Sequence, residues 1–162
     1  MFISSAFKTL AVVLVSAAVA GQAMAADLAI GKRLSKQELS QYASAPVVQV
    51  ESQSFKVLSS GTRTKGAGAT STAVTQVANE RGVVGESRNE VVVSQVSADS
   101  VRQAVGSLTT APVSAEYYGH MKVSTLRFAT FQEAVNARTQ LKKLLPQARV
   151  DVPIQYAKPV AR

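Results

Sequence analysis

Residues 123–156 read as strand, helix, strand, and that unit limits the folds open to the rest of the chain. Thr130 and Glu133 stand at capping-box spacing, so hydroxyl and carboxylate can satisfy amides of a helical first turn. Phe131, Ala134, Val135, Ala137, Leu141, Leu144 and Leu145 then recur on one side at helical spacing, with polar residues between them. Lys142 and Lys143 oppose the negative end of the dipole, and Pro146 stops the helix. After it Val150, Val152, Ile154 and Tyr156 keep one parity, which predicts a half-buried strand over 149–156, placed at a sheet edge or made irregular by Pro153. An amphipathic helix between two strands must bury its stripe on the sheet they form.

The preceding residues supply the matching half. Residues 90–95 predict a strand, and Ser97 or Asp99 caps a helix carrying Ala98, Val101, Ala104, Val105 and Leu108 at helical spacing. Residues 114–118 and 121–129 predict two more strands, joined at Gly119-His120 as a two-residue hairpin loop with glycine first. Tyr117 and Tyr118 fall on opposite faces of the first of these, one packed and one in solvent. The order over 89–162 is β-α-β-β-α-β with an extended tail. The predicted class is α+β, a ferredoxin-like sandwich of one four-stranded antiparallel sheet with two helices on one face.

Residues 26–58 predict an N-terminal extension, with a brief helix near 36–43 capped by Ser35 and Glu38 and short strands at 47–51 and 55–58. Residues 59–88 predict a flexible linker and turn. Residues 59–72 are small, polar and glycine-rich, and Asn79-Glu80-Arg81-Gly82 is a turn signal. Lys65 precedes Gly66 and lacks a strand-to-helix context, so this is no phosphate loop. Residues 1–25 predict a signal peptide: Lys8, an apolar run over 10–20 too short to span a bilayer, and the cleavage pattern Ala23-Met24-Ala25. The expected destination is the periplasm or the medium, with no membrane span after cleavage.

The chain has no cysteine and one histidine, which removes disulfides, thiolate catalysis, cysteine-ligated metal and multi-histidine zinc sites. Its net charge of +8 is scattered, without interleaved aromatics, which argues against nucleic acid as a partner. Long-range attraction to an anionic envelope component fits such a surface better. The acidic residues are dispersed and form no nucleophile–base constellation, so the chain reads as a non-enzyme with no catalytic, cofactor or metal site. His120, at the expected hairpin tip, reads as an exposed turn residue. The candidate partner-binding residues are those of the tail: Tyr156, Ala157, Lys158, Pro159, Val160, Ala161 and Arg162. Pro159 favours an extended form that another protein can read in a groove or on a sheet edge.

The run 121–128, the helix 130–145, and Pro146-Gln147-Ala148-Arg149-Val150-Asp151-Val152 followed by an extended tail resemble the inhibitor/propeptide domain of subtilisin-like proteases. The resemblance covers about the last 70 residues and rests on pattern. It implies a stand-alone inhibitor or folding chaperone of a secreted serine protease, acting through residues 156–162, with the exposed sheet face as docking surface. Pro153 and Pro159 depart from that family's tail, and no protease domain follows. The β-α-β pattern also resembles the sporulation-related repeat, which binds peptidoglycan glycan on its sheet, although Ala129 stands where that repeat has glycine. The alternative function is therefore an envelope-binding module for peptidoglycan or anionic lipid.

Overall fold

A computed structural model of the chain describes residues 28–63 and 72–157. The molecule is a mixed α+β protein with two antiparallel four-stranded sheets. The first sheet is a meander in the order β1-β2-β3-β4, formed by β1 (Val47–Val50), β2 (Gln53–Arg63), β3 (Thr72–Ala78) and β4 (Val84–Ser87). A short helix, α1 (Lys36–Gln41), precedes it with the capping box of Ser35 and Glu38 fully formed. The remaining elements are β5 (Glu90–Ser94), α2 (Ala98–Val105), β6 (Ser114–Tyr118), β7 (Val123–Arg127), α3 (Phe131–Leu144) and β8 (Arg149–Asp151). These strands form the second sheet in the order β6-β7-β5-β8, with every neighbouring pair antiparallel.

Helix α3 is the layer both sheets share. Ala134, Ala137 and Leu141 pack with Val91, Val93, Leu126 and Val150 of the second sheet and with Val101 and Ala104 of α2. Phe131 and Val135 pack with Val48, Phe55 and Val77 of the first sheet. The Phe55 and Phe131 rings meet edge to face, with centroids 6.3 Å apart. The far face of the first sheet holds a third cluster, Leu34, Leu58, Ala78 and Val84, roofed by Leu28, Leu39 and Tyr42. The first sheet is thus buried on both faces, whereas the second is covered on one.

Where residues 59–88 are described, they form paired strands on either side of the expected turn. Residues 59–63 continue β2, Thr72–Ala78 is β3, and Thr75, Gln76, Val77 and Ala78 are all buried. Gln76 replaces lost water by bonding the backbone of Leu28, donating to its carbonyl at 2.8 Å and accepting from its amide at 3.1 Å. The two short strands expected within 47–58 form and pair with each other in the same sheet. The Asn79–Gly82 turn forms as expected: the Asn79 side chain accepts from the amides of Arg81 and Val83, and Gly82 takes φ +74°.

Two further expectations change. Gly119-His120 is not a two-residue hairpin loop: Gly119–Met121 is a 3₁₀ turn, Lys122 follows it at φ +51°, and β7 starts only at Val123. The last strand also stops early, at Asp151. Beyond Pro153 the chain leaves the second sheet and reaches the first, where Gln155 and Glu86 exchange two backbone hydrogen bonds of 2.8 Å. Pro153 has no amide hydrogen to continue the ladder, so the crossing falls at that residue. The residues of the expected signal peptide lie outside those described, and no helix among the described residues is long and apolar enough to cross a membrane.

Candidate functional site

Helices α2 and α3 lie on one face of the second sheet, and among the described residues nothing covers the other, bare face. Alternation along β5 sends Val91 and Val93 to the helices and Glu90, Val92 and Ser94 outward. The registers then fix three rows across the bare face. Ser114, Arg127 and Glu90 form the first, Glu116, Thr125, Val92 and Asp151 the second, and Tyr118, Val123, Ser94 and Arg149 the third.

Most charges on this face are paired within it. Arg127 donates to Glu90 at 2.5 Å and Arg149 to Asp151 at 2.7 Å. Tyr118, 38% exposed, donates its hydroxyl to Glu116 at 2.5 Å. That hydrogen bond and the adjacent negative charge raise the Tyr118 pKa above its ordinary value. The result is a nearly flat surface of half-buried valines, one aromatic ring and self-neutralised polar groups. Tyr117 faces the helices, as parity requires, and Arg102 of α2 stacks 4.5 Å from its ring centroid.

The tail divides into two parts. Tyr156 is half-buried, packs on the cluster around Phe131, and has its hydroxyl pKa raised by desolvation against an opposing hydrogen bond from Asn79. Its carbonyl passes where Gly31 has no side chain, and its ring lies over Gly85. Ala157 is exposed, and Lys158, Pro159, Val160, Ala161 and Arg162 lie outside the described residues. Tyr156 thus packs on the side that its parity with Val152 and Ile154 predicts, a structural task at odds with its place among the partner-binding residues of the tail.

The same ring lines two adjoining clefts at the junction of the sheets. One, of about 320 Å³, has Gln53, Asn79, Glu80 and Arg81 as its other walls. The second, of about 240 Å³, takes in Glu51, Arg138 and Asp151. The ionic groups of the second are engaged: buried Arg138 donates to Glu51 and to the Val150 carbonyl, and Lys142 donates to Glu51 at 2.7 Å. Sequence spacing gave no sign of this cluster, because Glu51 and Arg138 are 87 residues apart.

No family model, curated protein or solved structure matches this chain. His120 is exposed in the turn before β7, as the sequence suggests. Among the described residues no group of three His, Cys, Asp or Glu side chains converges to hold a metal ion.

Proposed function

We propose that this is an exported, non-catalytic binding protein whose βαββαβ half is a ferredoxin-like sandwich docking a protein partner on its bare sheet face. The strand order, the antiparallel pairing and the placing of both helices on one side support that reading of the fold. The observation that carries the docking reading is the internal pairing of Arg127 with Glu90 and of Arg149 with Asp151. A face meant for an anionic polymer would leave its guanidinium groups free, because affinity there comes from displacing counterions. A face that neutralises itself and keeps an exposed tyrosine beside Val123 suits a protein interface. The resemblance to protease propeptides makes a secreted serine protease the partner class, with residues 158–162 as the segment offered to its cleft.

The test measures inhibition and refolding of subtilisin-like proteases by the wild-type protein and two variants. Thr125→Arg places a long charged side chain in the middle of the bare face, opposite Glu116, and binding is expected to weaken about tenfold or more. Truncation after Ala157 is expected to remove inhibition while leaving docking and the circular dichroism spectrum unchanged. The cut is placed there because removing Tyr156 would unseat a packed ring. Binding to peptidoglycan or anionic vesicles that falls with salt and ignores both changes would replace this reading with the envelope-binding one.

A further inference from the structure

The outer strands of the two sheets differ in how their edges are guarded. The edge of β4 is filled twice. Gly31 and Lys32 exchange hydrogen bonds with Val84, and Gln155 does so with Glu86. Strand β1 is four residues long and follows Pro46, and β8 is three residues long and runs into Pro153. Short edges and prolines are the usual protection against pairing with another chain. Strand β6 is the longer outer strand of its sheet, at five residues, and among the described residues nothing pairs with its outer edge. Its Ser114, Ala115, Glu116 and Tyr118 are all exposed.

The hydrogen-bond parity identifies which backbone groups of β6 are free. Phe128 donates to Asn89 and Gln95 to Lys122, so the even residues of β7 face β5. The odd residues Val123, Thr125 and Arg127 therefore turn to β6, opposite Tyr118, Glu116 and Ser114. Ala115 and Tyr117 direct their amides and carbonyls outward. Exposed apolar groups flank this edge: Val113 at 71% before it, Tyr118 at 38% at its end, and Met121 at 55% just after it.

We propose that β6 is a dimerisation edge, on which two copies of the chain pair antiparallel about a two-fold axis through Tyr117. That register places Glu116 opposite Tyr118 of the second copy, twice over, so each carboxylate meets a phenol. The neighbouring register, centred on Glu116, would set two like charges directly opposite at the close pair, about 4.5 Å between Cα atoms. A self-complementary strand of this kind is what a two-fold interface needs, since one patch must serve both sides. The pairing takes up Glu116 and Tyr118 at the margin of the bare face and leaves Val123, Thr125 and Val92 open to a partner.

Sedimentation over a concentration series tests the proposal on the intact protein. The wild-type protein is expected to double its mass as concentration rises, and Ala115→Pro to remain monomeric with an unchanged far-ultraviolet spectrum. Proline there removes an outward amide and none that bonds β7. Because the chain has no cysteine, register is read separately by oxidising Glu116→Cys and Tyr118→Cys proteins alone and mixed. The mixture is expected to cross-link several-fold faster than either alone. A monomer at every concentration, a folded Ala115→Pro dimer, or fastest cross-linking of Glu116→Cys with itself would each overturn the proposal.

Discussion

Several residues hold backbone conformations that their side chains have to justify. Glu51, in the turn between β1 and β2, sits at φ +56°, a region that disfavours any side chain but glycine's lone hydrogen. Its carboxylate is held by Lys142 and Arg138, and these hydrogen bonds lower its pKa from 4.5 to about 2. A carboxyl with a depressed folded pKa contributes stability above its unfolded pKa and loses it as the pH falls through the folded value. The melting-temperature gap between the wild-type protein and Glu51→Gln is therefore expected to be full above pH 4.5 and to close towards about pH 2. A gap that stays constant across that window would show that the charge does not act. Asn89, buried at φ +56° between the two sheets, is the second such residue. Its amide donates to the Ser87 hydroxyl, its side chain to the Ala129 carbonyl, and its own carbonyl accepts from Phe128. Asn89→Ala loses the side-chain bond and keeps the strained backbone, a cost of about 2 kcal/mol in denaturant unfolding. Asn89→Gly is expected to cost less, because glycine adopts this conformation freely.

Among the elements, the C-terminal crossing depends most on one small residue. A methyl group on Gly85 would stand 2.6 Å from Ile154 Cγ2 and 3.0 Å from the Tyr156 ring. Gly85→Ala is expected to cost about 1–3 kcal/mol by overpacking. It should also make residues 152–157 a preferred site of limited proteolysis, which mass spectrometry of the fragments would detect. The sequence announces some of these elements and conceals others for a physical reason. Helix α3 carries a complete set of signals, from the Thr130–Glu133 capping box to Pro146, and forms as those signals require. Strands β5 and β7 carry the imprint of a sheet covered on one face, an alternating burial, although Val92 and Val123 face outward and Ser124 inward. Strands β2 and β3 lack that imprint. The first sheet is buried on both faces, its β3 places Thr75 and Gln76 at core positions, and Leu58 sits at a register shift that disturbs the period. Strand β4 conceals itself similarly, since Gly85 is small only because the tail lies across it. The bare face was legible from the same parity that separates Tyr117 from Tyr118. The buried side of Tyr156 was legible in its parity with Val152 and Ile154, but its contacts with Gly31 and Gly85 were not, because they join residues far apart in the chain.

For the whole molecule, α3 decides whether the two sheets behave as one body. Phe131 and Val135 belong to the cluster of the first sheet, and Ala134, Ala137 and Leu141 to that of the second, on a helix of 14 residues. A helix that short cannot keep one side formed while the other melts, because its hydrogen bonds are shared around the cylinder. Arg138 reinforces the link by donating to Val150 in β8 and to Glu51 beside β1. The crossing of the chain from Asp151 to Gln155 adds a covalent tie between the sheets. Unfolding should therefore be a single cooperative transition, even though the strands form separate sheets. Phe131→Ala tests this directly. It removes a ring that belongs to the first-sheet cluster, and its expected cost is about 3–5 kcal/mol. If α3 couples the layers, native-state hydrogen exchange will show the same loss of protection at Val91, Val93 and Leu126 as at Phe55 and Val77. If the sheets are independent, the loss will stop at β1–β4 and the second sheet will keep its protection.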